Sequence, residues 1–412
     1  MVCPPETDIY QNLALLAAFT FFYSITSGAL ARTPVNGAVV FMLFGLAVGP
    51  LGLDLLHLSI DAEGLRTLAE LTLALVLFTD AASSNLRELE HSYKIPLRLL
   101  LVGLPLTIGL GYVTGYLLFD SLGWMEIAIL AVMLAPTDAA LGKAVVTDPA
   151  VPGKIREGLN VESGLNDGIC VPILFIFLIL ASEAGAGADT TELAVKLVAQ
   201  AVGIGALTGV GVTWIAIRLL RAVEGRKWLT KSWTQVTLPT LAVACFAVAQ
   251  WLGGSGFIAC FVGGLFFGAI ESKGIHKRLL EAESVGDTLA LLTWIAFGAL
   301  VVGHGVDSLT WQSVFYAVLS LTVIRMLPVF IVLTGLGLDT AEKLFVGWFG
   351  PRGLASIVFA VMVINQKLPG GSVVIDTAVS TIILSVLLHG LSANPLVAAL
   401  AARIQAKAGG HS

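Results

Sequence analysis

The sequence predicts an all-α protein that crosses a membrane about thirteen times, and three observations carry that prediction. The chain is 57% hydrophobic and only 12% charged, with a mean hydropathy of +0.91, whereas a soluble domain carries about 25% charge. Apolar runs long enough to span a bilayer as helices recur from one end to the other. The basic residues between those runs fall mostly on alternate loops, as they do in multi-pass chains.

The runs lie near 10–29, 36–53, 65–84, 96–119, 124–147, 158–181, 192–219, 234–252, 255–271, 286–303, 311–335, 341–365 and 374–402. Gly253, Gly254 and Gly256 divide what would otherwise read as one helix over 234–271. The longest polar loop runs from Arg221 to Trp233. No basic region precedes the first apolar run, so no cleaved signal peptide is expected. Cys3, Cys170, Cys245 and Cys260 show no metal or redox spacing and read as packing residues.

Charge sets the orientation. With the N-terminus outside, 18 of the 23 Lys and Arg fall on the cytoplasmic side, and Arg66, Lys196 and Lys367 on the other. Arg325 and Arg352 lie within predicted spans. That bias predicts an N-out, C-in chain with an odd number of spans, and the membrane expected for it is the cell's inner membrane.

Two spans are interrupted. Pro136-Thr137-Asp138 breaks the fifth, because proline removes a backbone donor and clashes with the preceding turn. Gly350-Pro351-Arg352-Gly353 breaks the twelfth. They are seven spans apart, so the two helices run in opposite directions, as in an inverted-topology repeat. The first repeat would be 1–181, the linking helix and loop 182–233, and the second repeat 234–412. Asp138 and Arg352 are expected to offset the partial charges where the broken helices cross.

The stretch from Met133 to Gly168 then carries the chemistry. Asp138, Glu162 and Asp167 sit among apolar runs, where each carboxylate costs roughly 2.5–3.5 kcal/mol on insertion scales. On the sixth span Ser163 and Asp167 stack at i and i+4. With Thr137 and Asp138 opposite they offer only oxygen ligands, the set a hard cation takes. Glu162 and Asn166 stack on a face about 100° away. Arg325 is the expected partner of Glu162, tying the two repeats together.

Blander roles compete with these. Asp138 is also readable as an N-cap for the second half of its own span. The Ser163 hydroxyl is readable as bonded back to its own helix. Asp80 is readable as an interfacial end charge, and His389 as a packed, hydrogen-bonded side chain. Asp167 lies mid-helix, where there is no cap to make, and it is the acid expected to exchange a proton for a cation.

With these residues in hand, the chain resembles the NhaP-type sodium/proton antiporters, bacterial relatives of the animal sodium/proton exchangers. The matching segments are APTDAA at 135–140, VESGLNDG at 161–168, VIRMLPVF around Arg325, GWFGPRGLAS at 347–356 and LLHGLSANPL at 387–396. The third span reads Phe78-Thr79-Asp80-Ala81 where the family more often has Phe-Glu-Ala, which makes Asp80, with Thr79, a candidate accessory site. The resemblance implies a homodimer. It implies an ion-carrying core from 96–181 and 311–402 that moves against a dimerisation domain built from much of the remainder. It makes Asp167 the acid that carries ion and proton, with Asp138, Thr137 and Ser163 completing a monovalent cation site. Glu162, Asn166, Arg325 and Arg352 would hold the core. Relatives with Asp-Asp in place of Asn166-Asp167 are the electrogenic ones, so one cation per proton is implied here.

The expected partners are sodium, or lithium or potassium, together with the proton and membrane lipid. No cofactor, enzyme activity or nucleic acid is called for. An intramembrane serine protease using Ser163 and His389 is the enzyme alternative, and charged Glu162 and Asp167 flanking the serine argue against it. A passive cation channel should not move protons uphill when given a sodium gradient, and a non-transporting receptor or scaffold would explain neither helix break.

Overall fold

The computed structural model describes the chain except residues 1–5, 31–32, 34, 57–61, 84–92, 139–140, 142–144, 147, 184–189, 227, 271–274, 302–308, 367 and 410–412. Among the described residues it is helical throughout. The helices are α1 (Glu6–Leu30), α2 (Gly37–Val48), α3 (Ala62–Ser83), α4 (Lys94–Leu118), α5 (Trp124–Met133), α6 (Gly153–Glu183) and α7 (Thr190–Gly225). They continue as α8 (Lys231–Trp251), α9 (Gly256–Ile270), α10 (Ile275–Ala296, closing in a π-helical turn to Val301) and α11 (Trp311–Val332). The last three are α12 (Thr340–Trp348), α13 (Leu354–Gln366) and α14 (Gly371–Gly409).

Among the described residues six helices are long and apolar enough to cross a membrane: those within α1, α4, α6, α7, α11 and α14. Shorter apolar helices are Gly37–Val48, Trp124–Met133, Gly256–Ile270 and Leu354–Ile364. The chain is thus a multi-pass membrane protein in which two of the short apolar helices, Trp124–Met133 and Leu354–Ile364, border interruptions. Helix α5 stops at Met133, ahead of Pro136, and 136–138 are non-helical. The second interruption separates α12 from α13 across Phe349–Gly353.

Several helices outrun the apolar runs that announce them. The apolar run at 286–303 is the second part of a helix that starts at Ile275, and the run at 192–219 belongs to a helix reaching Gly225. Polar turns continue a helix without cost once it leaves the hydrocarbon, so hydropathy marks the buried length and not the helix end. The ends are set by local chemistry. Asn36 Oδ1 accepts the Ala38 amide at the start of α2 (3.0 Å). Asp339 and Glu342 form a reciprocal capping box at α12, at 2.7 and 2.8 Å.

Helix α9 lies against α3, α7 and α8, and α10 against α2 and α3. Elsewhere α11 packs on α14 and α12, and α5 on α4 and α6. Helix α6 touches both sets, the first through α3, α7 and α9 and the second through α4, α5 and α13. Gly264 of α9 sits on the Phe78 carbonyl of α3, where a Cβ would collide, so α3 is drawn in close and Thr79 and Asp80 lie beside the bundle centre. The three described cysteines, Cys170, Cys245 and Cys260, are buried free thiols.

Candidate cation site between two broken helices

The two interruptions meet. The Asp138 amide donates to the Pro351 carbonyl at 2.8 Å, joining two extended strands of backbone. Each strand then finishes the other's helices. Leu354 N, at the start of α13, donates to Asp138 Oδ2 at 3.0 Å. Ser356 Oγ donates to the Met133 carbonyl at the end of α5, also at 3.0 Å. Asp138 therefore caps the helix after the second break, across the crossing. A carboxylate at that helix N-terminus meets both open amides and the positive end of the dipole.

Arg352 serves the opposite pole. Its Nη1 donates to the Gly350 carbonyl just past the C-terminal end of α12 (2.8 Å), and its backbone amide donates to Ser385 Oγ (2.6 Å). His389 places Nε2 2.8 Å from the Trp348 carbonyl and Nδ1 3.3 Å from Ser385 Oγ. Nδ1 also lies 2.9 Å from the Ser385 backbone carbonyl, so both ring nitrogens face backbone carbonyls, and Ser385 Oγ accepts from the Arg352 amide. His389 is a buried structural side chain terminating a helix.

Glu162 and Arg325 form a bidentate pair. Arg325 Nη1 and Nη2 donate to Glu162 Oε1 and Oε2 at 2.6 and 2.7 Å. Gly350 leaves room for this arginine, since a Cβ there would fall 2.5 Å from Arg325 Nε. Asn166 goes elsewhere. The helical wheel groups it with Glu162 on the face turned to Arg325, but its Nδ2 donates to Thr137 Oγ1 at 2.8 Å. Ser163 Oγ donates to the Thr137 carbonyl, so it is not bonded back to its own helix through that proton. Ser163 and Asn166 are three residues apart, about 60° on the wheel. One extended residue lying along α6 can therefore engage both.

Asp167 is 7% exposed, and its Oδ1 has no hydrogen-bond partner among the described residues. It lies within electrostatic reach of Asp138 and Asp80. Next to this group a cavity of ≈ 10 Å³, about the room one water needs, is lined by Thr137, Asp138, Val145, Val146, Leu159, Ser163, Phe349 and Pro351. Asp167 is not among its walls. On α6 the cavity is lined by Leu159 and Ser163, on the N-terminal side of Asp167.

Of the sequence-predicted set, Thr137, Asp138, Ser163 and Asn166 are thus in direct or one-step contact, with Asp167 on the Ser163 face of the same helix. Asp80 is half-buried near Asp138, Glu283 and Asp287. Thr79 does not join them: its hydroxyl bonds back to the Leu75 and Val76 carbonyls, both at 3.0 Å. Ser385 and Ser356 were missed in the sequence. A serine on an apolar helix gives no signal until the strand it faces is known. The protease pair does not form either, since Ser163 and His389 are committed to different backbone carbonyls.

Residues 16–399 match the family model for the sodium/hydrogen exchanger, transmembrane. The chain is 23% identical over 389 residues to a K(+)/H(+) antiporter NhaP2 of Shewanella oneidensis, covering 94% of this chain and 67% of that protein. It is 26% identical over 275 residues to Na(+)/H(+) antiporter 2 of Zygosaccharomyces rouxii, covering 58% of this chain and 33% of that protein. The chain spans about two thirds of the length of the NhaP2 relatives it matches, 64–67%. The structure of the sodium proton antiporter MjNhaP1 from Methanocaldococcus jannaschii superposes with a TM-score of 0.70 at 20% identity, over 93% of this chain and 98% of that one. That likeness establishes the fold, and the family match covers nearly the whole chain: this protein belongs to the sodium/hydrogen exchanger family, whose members are membrane transporters and not enzymes.

Proposed function

We propose that the protein exchanges a monovalent cation for a proton by alternating access, with Asp167 as the group for which the two compete. The observation that carries this reading is the Asp167 carboxylate, buried mid-helix with one oxygen unpartnered among the described residues. The rest of the proposed set is Ser163 Oγ, Thr137 and Asp138. Ser163 Oγ donates to the Thr137 carbonyl and Thr137 Oγ1 accepts from Asn166; in this reading a lone pair of each hydroxyl oxygen faces the cation. Asp80 is the accessory acid on the approach from α3.

In the proposed architecture the chain makes thirteen passes, N-out and C-in, in a cell membrane. Residues 1–181 and 234–412 form the inverted repeats, and 182–233 link them. Residues 96–181 and 311–402 form the moving core, and much of the remainder forms the face on which two copies meet. Glu162, Arg325, Asn166 and Arg352 hold the core together while it moves.

Sodium is the cation proposed first, with lithium alongside it. Potassium is the second reading, favoured by the K(+)/H(+) names of the Shewanella relatives. The test is proton flux in proteoliposomes carrying a trapped pH dye, with sodium, lithium and potassium added in turn. At least one cation should dissipate an imposed pH gradient, and the Asp167→Asn variant should be silent with all three. Full exchange by Asp167→Asn would overturn the assignment. Choline working as well as the metal cations would overturn the exchange reading itself.

A further inference from the structure

The last turns of α7 carry a feature that exchange does not use. Between Val212 and Gln235 the chain has five basic residues, Arg218, Arg221, Arg226, Lys227 and Lys231, against one acid, Glu224. Trp214, Arg218 and Arg221 are spaced i, i+4, i+7 and share one helix face. The Arg218 guanidinium lies 5.2 Å from the centre of the Trp214 ring, and that of Arg226 lies 5.0 Å from Trp228. Both indoles are exposed, Trp214 by 50% and Trp228 by 68%.

We propose that this end of α7, with the turn into α8, binds the headgroup of an anionic phospholipid. The apolar part of α7 runs from Ala199 to Val223, so Arg218 and Arg221 stand in its last turns, at headgroup depth. Exposed Ile215 and Leu219 on the same turns offer apolar surface for acyl chains, which a soluble anion would not use. A general bias of positive charge to one side needs only lysines in loops. Here arginines stack on exposed rings, which holds the guanidinium plane and leaves its N–H edges free for the two oxygens of a phosphate. Helix α7 also packs on α6, the helix that carries Asp167, so an occupied headgroup site braces a neighbour of the proposed transport site. The inference depends on the protein lying in a membrane and not on which ion it carries.

The test uses the purified full chain in mild detergent, titrated with phosphatidylglycerol or phosphatidylcholine while thermal unfolding is followed. Phosphatidylglycerol should raise the midpoint and phosphatidylcholine should not. In the Arg218→Gln, Arg226→Gln variant the half-saturating phosphatidylglycerol concentration should rise roughly thirtyfold, with the lipid-free midpoint little changed. Brominated phosphatidylglycerol should quench tryptophan emission in the wild type at concentrations that leave this variant unquenched. If the glutamine pair does not fold, the Arg218→Lys, Arg226→Lys variant replaces it. It keeps the charge but loses the planar fork, and it should bind several-fold more weakly. An unchanged response in the variants, an equal response to phosphatidylcholine, or the full shift from inorganic phosphate alone would each overturn the proposal.

Discussion

Arg325 of α11 and Glu162 of α6 meet as two parallel forks, with the Nη1–Oε1 contact at 2.6 Å and side-chain exposures of 1% and 2%. Neither charge reaches water, so each depends on the other. Removing one partner of such a pair costs about 3–5 kcal/mol, because the survivor is left buried and uncompensated. Arg325→Ala and Glu162→Ala should each unfold well below the wild type. The double variant should lose less than the sum of the two. Thermal unfolding of all four proteins measures the coupling, and strict additivity would contradict the observed pair.

A second prediction concerns the hydroxyl that Asn166 orients. With Nδ2 gone, Thr137 Oγ1 loses its donor and can rotate away from the site. Asn166→Ala should therefore raise the cation concentration needed for half-maximal exchange. The lost hydrogen bond is worth about 0.5–1.5 kcal/mol, which corresponds to a roughly two- to tenfold change in affinity. Concentration dependence of proton flux measures it. An unchanged half-maximum with a lower maximal rate would show that Asn166 does not orient a cation ligand.

Gly353 should not tolerate a methyl group. A Cβ at this position would run into the Asp138 carboxylate, pushing it off the Leu354 amide. Overpacking costs about 1–3 kcal/mol, and the lost cap adds about 0.5–2 kcal/mol. Gly353→Ala should lower the unfolding midpoint and exchange together. Gly109→Ala is the matched control: it lies in α4 with nothing within 4 Å of the added carbon, so it should be neutral or slightly stabilising.

The charges in the site bear on stoichiometry. Glu162 is held by Arg325, Asp138 is committed to the Leu354 amide, and Asn166 does not titrate. Within the proposed core, 96–181 and 311–402, Asp167 is left as the acid free to alternate between proton and cation, Asp80 lying outside it on α3. Loaded with either, the site carries the same net charge, so exchange should be electroneutral. A net charge would gain or lose about 2.3 kcal/mol per 100 mV, which is easily seen. In vesicles clamped at different potentials by an ionophore for a non-transported ion, initial rates should coincide. A rate that follows the clamp would require a second titrating group.

The sequence made the interruptions legible because Pro136 and the Gly350–Gly353 run are local breakers, readable without a partner. It also paired Glu162 with Arg325, since a buried acid in a bilayer needs a cation and few were available. It could not give the direction of capping. That Asp138 serves Leu354 depends on which strand crosses which, a fact of three-dimensional packing alone. The wheel misplaced Asn166 for a related reason. It treats a helix face as meeting another helix, whereas here an extended strand lies along α6 and gathers residues 60° apart. Helix lengths failed differently, because hydropathy reports the bilayer and α7 and α10 continue beyond it.

The mutual capping of the two breaks has a consequence for biosynthesis. Leu354 follows Asp138 by 216 residues, and Ser356 follows Met133 by 223. A ribosome adding about 5–20 residues per second needs roughly 10–40 s to make that much chain. Throughout that interval the Asp138 carboxylate and the end of α5 wait for the partners that α13 supplies. A message truncated before the twelfth apolar segment yields a product that lacks both contacts.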